Sequence, residues 1–226
     1  MNVIDVTLAW DERLPVYPGD PPVVRWRYRT LENAPYEATL ISCGSHTGTH
    51  VDAPRHFIPD GLDVAGLPLD VLCGPARLVD LRSENPSITA STLEGLQLAG
   101  VERLLLRTVR TDDPEQSPTR SCSFLTPDAG RYLREATSVR LVGIDTLSIE
   151  TDAGPDFPVH HMLLAASPPR IIVEGLDLRA APAGDYHLFC LPLRVPGLDA
   201  CPARAILVPA GSLLPSPAEA QIGPRQ

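Results

Sequence analysis

The middle of the chain alternates short apolar segments with signals for helix starts, and this alternation restricts the folds open to it. The segments ARLVDL, VERLLLRT and VRLVGID occupy 76–81, 101–108 and 139–145. Before the second, ITASTLEGLQLAG carries candidate N-caps, and before the third, Thr126 precedes Pro127 at a first helical position. Strands that alternate with helices favour parallel pairing through right-handed crossovers. The pattern therefore predicts an α/β fold.

The two ends of the chain are predicted to be richer in strand. Near the start, VVRWRYR (23–29) alternates apolar residues with arginines, which predicts a half-exposed strand, and YEATLIS (36–42) follows it. Near the end, a short helix around 160–165 precedes the strand IIVEGL (171–176) and two further strand-like segments. With a length of 226 residues, this organisation predicts one domain over 1–226, with a mixed β-sheet core and a few helices.

Composition and charge exclude several classes of partner. The net charge of −9 argues against nucleic acid, because phosphate binding needs a basic surface. No stretch of the sequence approaches the roughly 18 uninterrupted apolar residues of a membrane span. The first residues, MNVIDVTLAWDERLP, carry no basic leader. We therefore expect a cytoplasmic protein that acts on a small molecule, with neither nucleic acid nor membrane as a ligand.

The segment HTGTHVDAPRH (46–56) concentrates three of the six histidines and an aspartate. His46, His50, Asp52 and His56 all fall on even positions, so an extended segment would direct the four side chains to one face. A helix would instead place Asp52 roughly 200° from His50, and the glycine and proline of the segment also disfavour a helix. We expect an extended or looped segment that collects ligands for a cation.

The residue types in this region suit a catalytic divalent cation. Imidazole and carboxylate ligands are typical of Zn²⁺ and Mn²⁺ sites, and the HxxxHxD grouping leaves coordination positions open for water and substrate. One of the adjacent His160 and His161 could add an imidazole, and Glu174 a second carboxylate, which is enough for two ions that share a bridging oxygen. Each residue alone has a structural explanation. The density of the cluster favours a metal, because unpaired buried polar groups are costly.

Six segments resemble, in order, the successive blocks of one known family. SHTGTHVDAPRHF is similar to the HxGTHxDxPxH signature of the metal-dependent cyclase family, which includes bacterial kynurenine formamidases and isatin hydrolases. PVYPGD precedes this segment, and GIDTLSIE, FPVHHMLL, IIVEGLDL and LPLRVPGLDACPARAIL follow it. The resemblance covers nearly the whole chain. It implies the family's swivelling β/β/α fold and a homodimer or homotetramer.

The resemblance also implies a role for each motif residue. The family's metal positions, which hold two divalent ions, match His46, His50, Asp52, His160 and Glu174. Asp52 takes the bridging position, and His56 matches the catalytic histidine. The ions are expected to be Zn²⁺, with Mn²⁺ as the alternative.

The expected reaction is hydrolysis of an amide by metal-activated water, on an aryl formamide such as N-formylkynurenine or on a cyclic amide. His56 is expected to transfer the proton, and Tyr17, Phe57 and Phe157 are candidate aromatic walls that packing would explain equally well. Tyr17 stands where the formamidases carry tryptophan, and SPP (167–169) lengthens the chain before Glu174. A ring-forming or dehydrating enzyme, or a non-catalytic metal-binding module, remains an alternative.

Overall fold

The computed structural model describes residues 2–11, 14–82, 86–108, 123–151 and 156–212 of the chain. Within these ranges the strands are β1 (Ile4–Asp5), β2 (Val24–Arg29), β3 (Ala38–Ser42), β4 (His50–Asp52), β5 (Cys73–Asp80), β6 (Ser87–Ile88), β7 (Arg103–Arg107), β8 (Phe124–Leu125), β9 (Leu141–Ile144), β10 (Ile171–Glu174), β11 (Gly184–Pro192) and β12 (Ala200–Pro209). The helices are α1 (Leu69–Leu72), α2 (Ala90–Glu94), α3 (Pro127–Ala136) and α4 (Pro158–Leu164), with single 3₁₀ turns at Pro54–His56 and Val64–Gly66.

The main sheet closes on itself as a barrel. Its strand order is β1-β12-β11-β5-β7-β9-β10-β4, and β4 pairs again with β12. β5, β7, β9 and β10 run parallel to one another, and for β5, β7 and β9 the alternation of strands and helices predicted this pairing. The pairings that involve β4, β11 and β12 are antiparallel. The predicted α/β class with a mixed β-sheet core and few helices is therefore confirmed.

The barrel wall separates two hydrophobic cores. Leu105 of β7 is fully buried in the cluster that fills the barrel, together with Val51 and Leu188. Its neighbours Leu104 and Leu106 point to the other face and pack in the cluster beneath α2, α3 and α4. Successive side chains of a strand point to opposite faces of the sheet. A strand that is buried on both faces therefore has a continuous run of apolar residues in its sequence.

The helices of the middle region agree only in part with the sequence. α3 begins at Pro127 as predicted, although the Thr126 hydroxyl donates to the Ile88 carbonyl at 3.0 Å and does not cap the helix. The helical region expected between 88 and 100 is shortened to α2, because Ile88 belongs to the parallel pair β6–β8 and Gln97 has a positive φ of 53°. The polar segment 111–123, for which the sequence predicts a surface loop, lies mostly outside the described residues. So does 213–226, and the extent of the domain therefore stays a prediction.

The strand predicted as half-exposed is exposed on both faces. β2 pairs with β3 in a separate two-stranded sheet, and all six of its residues are exposed. Trp26, which we expected on a buried face, retains 62% of its accessible surface. We call residues 24–42 the hairpin arm. In the described part of the chain, no helix is long and apolar enough to cross a membrane.

The first testable prediction concerns a close contact between two glycines. Gly175 has a φ of 64°, and a Cβ there would overlap the carbonyl of Gly48, whose carbon lies 2.8 Å away. Gly175→Ala should lower the free energy of unfolding of the metal-free protein by about 2–4 kcal/mol, since backbone cannot yield as a side chain can. Urea denaturation measures this change.

Gly100→Ala is the matched control for this substitution. Gly100 has a similar φ of 73°, but a Cβ there would meet no atom within 4 Å. The control should show only the cost of the left-handed backbone, roughly 1 kcal/mol. Equal destabilisation by the two substitutions would show that the contact with Gly48 is unimportant.

Candidate metal centre

Three candidate ligands lie on the outer face of the barrel, where two antiparallel strands meet. β4 contributes His50 and Asp52, and β10 contributes Glu174, which pairs directly with His50 in the sheet register. Val51 and Val173 occupy the inward positions between them. All three polar side chains are buried. The barrel register therefore places an imidazole and two carboxylates together between the sheet and α4.

His46 reaches the same place through a turn and not through an extended segment. Only His50–Asp52 is strand, while Gly48 has a φ of 64° and His56 lies in a 3₁₀ turn. The segment is therefore looped around a short strand, one of the two forms expected from the sequence, and the four side chains converge. Thr49 holds the turn, because its hydroxyl donates to the Gly175 carbonyl and accepts from the amide of Leu8.

α4 contributes His160, which points into the cluster. His160 is 3% exposed, whereas the adjacent His161 is exposed and lies against the ring of Phe57. The Nε2 atom of His160 lies 3.2 Å from Glu174 Oε1 and 3.8 Å from Asp52 Oδ2. The structure thus places inward the neighbour that the family resemblance selects.

The two carboxylates lie between the imidazoles. Asp52 Oδ1 is 3.1 Å from His46 Nδ1 and 3.4 Å from His50 Nε2. Glu174 Oε2 is 3.5 Å from His50 Nε2, and its Oε1 accepts a hydrogen bond from the amide of Ile149 at 2.7 Å. Each carboxylate therefore directs one oxygen towards His50 and the other towards His160.

Several buried atoms of the cluster have no hydrogen-bond partner among the described residues: His50 Nε2, Asp52 Oδ1 and Asp52 Oδ2. The other nitrogen of His50, Nδ1, donates to the Gly48 carbonyl at 2.8 Å, which leaves Nε2 with a free lone pair when the ring is neutral. Buried polar atoms are normally paired, since an unpaired one is costly. A divalent cation would satisfy all three atoms at once, and the donor set fits it.

The electrostatics of the cluster also favour positive charge. Burial alone would lower the pKa of His50, but the carboxylates of Asp52 and Glu174 outweigh it and raise the pKa to about 10. For His160 the same balance, with Glu150 and Glu174 as the main partners, also gives a pKa of about 10. Asp52 is fully buried, yet the neighbouring His46 and His50 hold its pKa well below the ordinary value. The metal-free cluster therefore compensates its carboxylates with protons.

His56 lies beside the cluster in a different environment. Its ring centroid is 4.1 Å from that of His46, and its Nδ1 is 3.6 Å from Asp199 Oδ2. Burial, together with the charges of His46 and His160, lowers the pKa of His56 in spite of the Asp52 carboxylate. A neutral imidazole at the edge of the cluster can accept a proton at neutral pH.

Aromatic side chains border the cluster on the side of α4. The ring centroid of Phe57 lies 4.3 Å from that of His56, 4.9 Å from that of His160 and 5.6 Å from that of Phe157. Phe157 precedes α4 with left-handed backbone angles, φ 38° and ψ 59°. Tyr17 is partly buried in the segment before the hairpin arm, and its role as a wall stays a prediction.

Sequence reasoning missed two acidic residues of the site. Asp199, just before β12, places Oδ2 3.0 Å from His46 Nε2, and Glu150 accepts a hydrogen bond from His160 Nδ1 at 2.6 Å. Each lies in a loop, without a spacing that relates it to a histidine. The only sequence signal was that Asp199 and Glu150 fall within blocks of the family resemblance.

Comparisons with known proteins identify relatives along most of the chain. The model of the putative cyclase family matches residues 4–151. The kynurenine formamidase of Geobacillus thermodenitrificans is 38% identical over 209 residues, which cover 90% of this chain and 96% of the relative. A predicted metal-dependent hydrolase from Bacillus stearothermophilus superimposes with a TM-score of 0.78 at 35% identity, covering 91% and 97% of the two chains. An isatin hydrolase bound to the product analogue thioisatinate shares the fold, with a TM-score of 0.77 at 24% identity and 92% coverage of each chain.

The adjacent histidines of α4 provide a matched pair for a metal-binding prediction. His160→Ala should lower the bound Zn²⁺ or Mn²⁺ well below that of the unsubstituted protein, as should Asp52→Ala and His50→Ala, because each removes a donor from the cluster. His161→Ala should retain the metal. Elemental analysis of protein purified without chelator measures the stoichiometry. If His161→Ala loses the metal and His160→Ala keeps it, then His161 and not His160 is the ligand. Unchanged metal content in Asp52→Ala and His50→Ala would rule out the cluster as the metal site.

A second prediction links metal binding to pH. His50 and His160 have raised pKa values in the metal-free protein, so both carry protons at neutral pH, and a cation must displace them. In spite of burial, the Asp52 carboxylate also raises the pKa of His46, so Zn²⁺ binding at pH 7 should release at least two protons. The apparent affinity should keep rising with pH above the ordinary histidine pKa of about 6.5. Calorimetry in buffers with different ionisation enthalpies measures the number of protons. Binding without proton release would contradict the prediction.

Proposed function

The chain belongs to the putative cyclase family, and from that premise we propose that it is a metal-dependent hydrolase that cleaves an aryl formamide, such as N-formylkynurenine, or a cyclic amide. One observation carries the proposal. Three imidazoles and two carboxylates converge in one cluster, where His50 Nε2 and both oxygens of Asp52 are buried without a hydrogen-bond partner among the described residues. The 38% identity with a kynurenine formamidase supports this reaction class.

The proposed metal ligands are His46, His50, Asp52, His160 and Glu174. Two ions, Zn²⁺ or Mn²⁺, are supported by how the carboxylates divide their oxygens. Asp52 directs Oδ1 towards His46 and His50 and Oδ2 towards His160, as a bridging ligand would. A bound divalent cation supplies Lewis acidity, which polarises a carbonyl group and lowers the pKa of water.

His56 is the proposed general base and acid. Its lowered pKa keeps the ring neutral at pH 7, so the ring can accept a proton from the attacking water. The protonated ring can then donate to the leaving nitrogen of the amide, which must take up a proton to leave as an amine. The position of His56 next to His46 puts it beside the reacting groups without making it part of the innermost cluster.

The aromatic border of the site supports an aromatic substrate. Phe57 and Phe157, with centroids 5.6 Å apart, offer an apolar surface next to His160 for the aryl group of a formamide or of a fused lactam. Tyr17 is proposed as a further wall. The relative that is 38% identical is named a kynurenine formamidase, which agrees with an aryl formamide as substrate.

The reaction is tested with metal-loaded protein and a defined set of substrates. N-formylkynurenine, other formyl-anilines, an isatin-like lactam and a small lactone are assayed after loading with Zn²⁺ or Mn²⁺, and chelator-treated protein is the control. Hydrolysis of a formyl-aniline or a lactam, lost after chelation, is the expected result. Conversion of a polyketide-like substrate by dehydration, without any hydrolysis, would indicate a tailoring cyclase. Metal binding without turnover of any substrate would indicate a binding module.

The role of His56 is tested by separating activity from metal content. His56→Ala should keep its bound metal and lose roughly 10²- to 10⁴-fold in kcat/KM, the usual contribution of general acid–base catalysis. His187→Ala, on β11, should leave the rate unchanged and serves as the control. If His56→Ala loses its metal, His56 is a ligand and another group must transfer the proton.

We also propose that the protein is a homodimer or homotetramer held together through the hairpin arm. The arm contains seven exposed large apolar residues: Val24, Trp26, Tyr28, Leu31, Tyr36, Leu40 and Ile41. An isolated two-stranded hairpin is marginally stable in water, and an exposed apolar patch of this kind marks an interaction surface. In a symmetric dimer, the apolar residues of each hairpin arm can be covered by the other copy of the chain.

Self-association is measured by light scattering on the eluting protein. Trp26→Ser combined with Leu40→Ser should yield a monomer, whereas Leu69→Ser should not, although Leu69 is 68% exposed. Leu69 lies on α1, outside the arm. A monomeric unsubstituted protein at micromolar concentration would contradict the proposal.

A further inference from the structure

We propose that Glu150 is a positioning residue that fixes the orientation and the tautomer of His160, so that Nε2 is the atom presented to the metal. The inference rests on the proposed function only in that His160 is a metal ligand. It adds a buried carboxylate that neither the sequence motifs nor the comparisons with relatives assign.

Glu150 contacts His160 at both its ring and its backbone. Oε1 accepts a hydrogen bond from the ring Nδ1 at 2.6 Å and another from the His160 amide at 2.8 Å. Oε2 accepts from the amide of Val159 at 3.0 Å. Glu150 is 6% exposed and His160 is 3% exposed, so little water competes for these bonds. The carboxylate thus holds the ring and the first turn of α4 as one unit.

This contact decides which ring nitrogen is free. A carboxylate is acceptor-only, so the Nδ1 atom that faces Glu150 must carry the proton. In the neutral ring that a metal binds, Nε2 is then the nitrogen with the lone pair, and it lies 3.2 Å from Glu174 Oε1 and 3.8 Å from Asp52 Oδ2. A carboxylate that accepts from the second nitrogen of a ligating histidine fixes its tautomer and increases its basicity.

A capping role alone would leave part of the geometry unexplained. Phe157, in the cap position of α4, makes no side-chain capping bond, and Glu150 satisfies the amides of Val159 and His160 in its place. Those two bonds do not require contact with the ring. The additional bond to Nδ1 is the shortest of the three, and it connects Glu150 to the cluster through His160.

Two kinds of measurement separate positioning from capping. The first is Zn²⁺ affinity, determined by competition with a chelator, for the unsubstituted protein, Glu150→Gln, His160→Ala and the double variant. Glu150→Gln has the shape of the original side chain and keeps one acceptor oxygen for the helix amides. It should weaken Zn²⁺ binding roughly 10- to 100-fold. In the His160→Ala background the same substitution should change the affinity by less than about threefold, because the ring through which Glu150 acts is absent.

The second measurement needs no substitution of Glu150. In protein loaded with Zn²⁺ and labelled with ¹⁵N at its six histidines, His160 should show a protonated Nδ1 with a downfield, slowly exchanging proton, and a metal-bound Nε2. The resonance is assigned by its absence from His160→Ala. A ring coordinated through Nδ1 would overturn the proposal even if the variants fail to fold.

The outcomes distinguish this proposal from the proposed function. Equal weakening by Glu150→Gln in both backgrounds would make Glu150 a helix cap, and unchanged affinity would remove its role. Either result would leave the hydrolase proposal intact. Conversely, Zn²⁺ binding with the expected Glu150 dependence but no hydrolysis would overturn the reaction and retain the positioning role. Failure of the unsubstituted protein to bind Zn²⁺ would overturn both.

Discussion

The barrel and the candidate site depend on the same three-residue strand. β4 pairs with β10 along one edge and with β12 along the other, so its backbone closes the barrel. Val51 points into the apolar interior, while His50 and Asp52 point outward. A slip of one residue would exchange the two faces and place an imidazole and a carboxylate in the core, at a cost of several kcal/mol. The hydrophobic core therefore fixes the register of the ligands.

The concentration of buried charge makes the cluster sensitive to what occupies it. Asp52 and Glu174 are 0% and 4% exposed. The free energy lost when a charged group leaves water can exceed the free energy gained from a single ion pair. In the metal-free chain the raised pKa values of His50 and His160 bring protons into the cluster to compensate. A divalent cation would compensate the carboxylates in place of these protons, since it carries two positive charges where a proton carries one. Metal binding is thus linked to the stability of the fold as well as to chemistry.

The sequence was most informative where one physical rule determined the outcome. Parallel pairing of β5, β7 and β9 followed from the alternation of apolar strands and helix signals. The convergence of His46, His50 and Asp52 agrees with their even spacing, although a turn and not a continuous strand brings His46 to the site. The exposure of β2 was not predictable from its period of two. Alternation shows that the two faces of a strand differ in polarity, but it does not show whether another part of the protein covers the apolar face.

Glu150 and Asp199 escaped prediction for a different reason. Both act from loops, and their neighbours along the chain do not indicate which histidine they will meet in space. Glu150 lies ten residues before His160, and part of the intervening segment, 152–155, lies outside the described residues. The carboxylate meets the ring in space, where the loop that carries Glu150 lies against the first turn of α4. Contacts of this kind depend on tertiary structure, which local spacing does not encode.

The candidate ligands differ in how firmly the fold holds them, and the difference corresponds to their proposed roles. His50, Asp52 and Glu174 lie on strands of the closed barrel, and Glu150 fastens His160. His46 instead follows the end of the hairpin arm after only three residues, and 21% of its side chain is exposed. His56 and Asp199, its neighbours, are also partly exposed. The inner groups thus hold charge in fixed geometry, whereas the outer groups lie on the accessible side of the cluster, where the proposed proton transfer by His56 would take place. Any change in the position of the arm would reach His46 first.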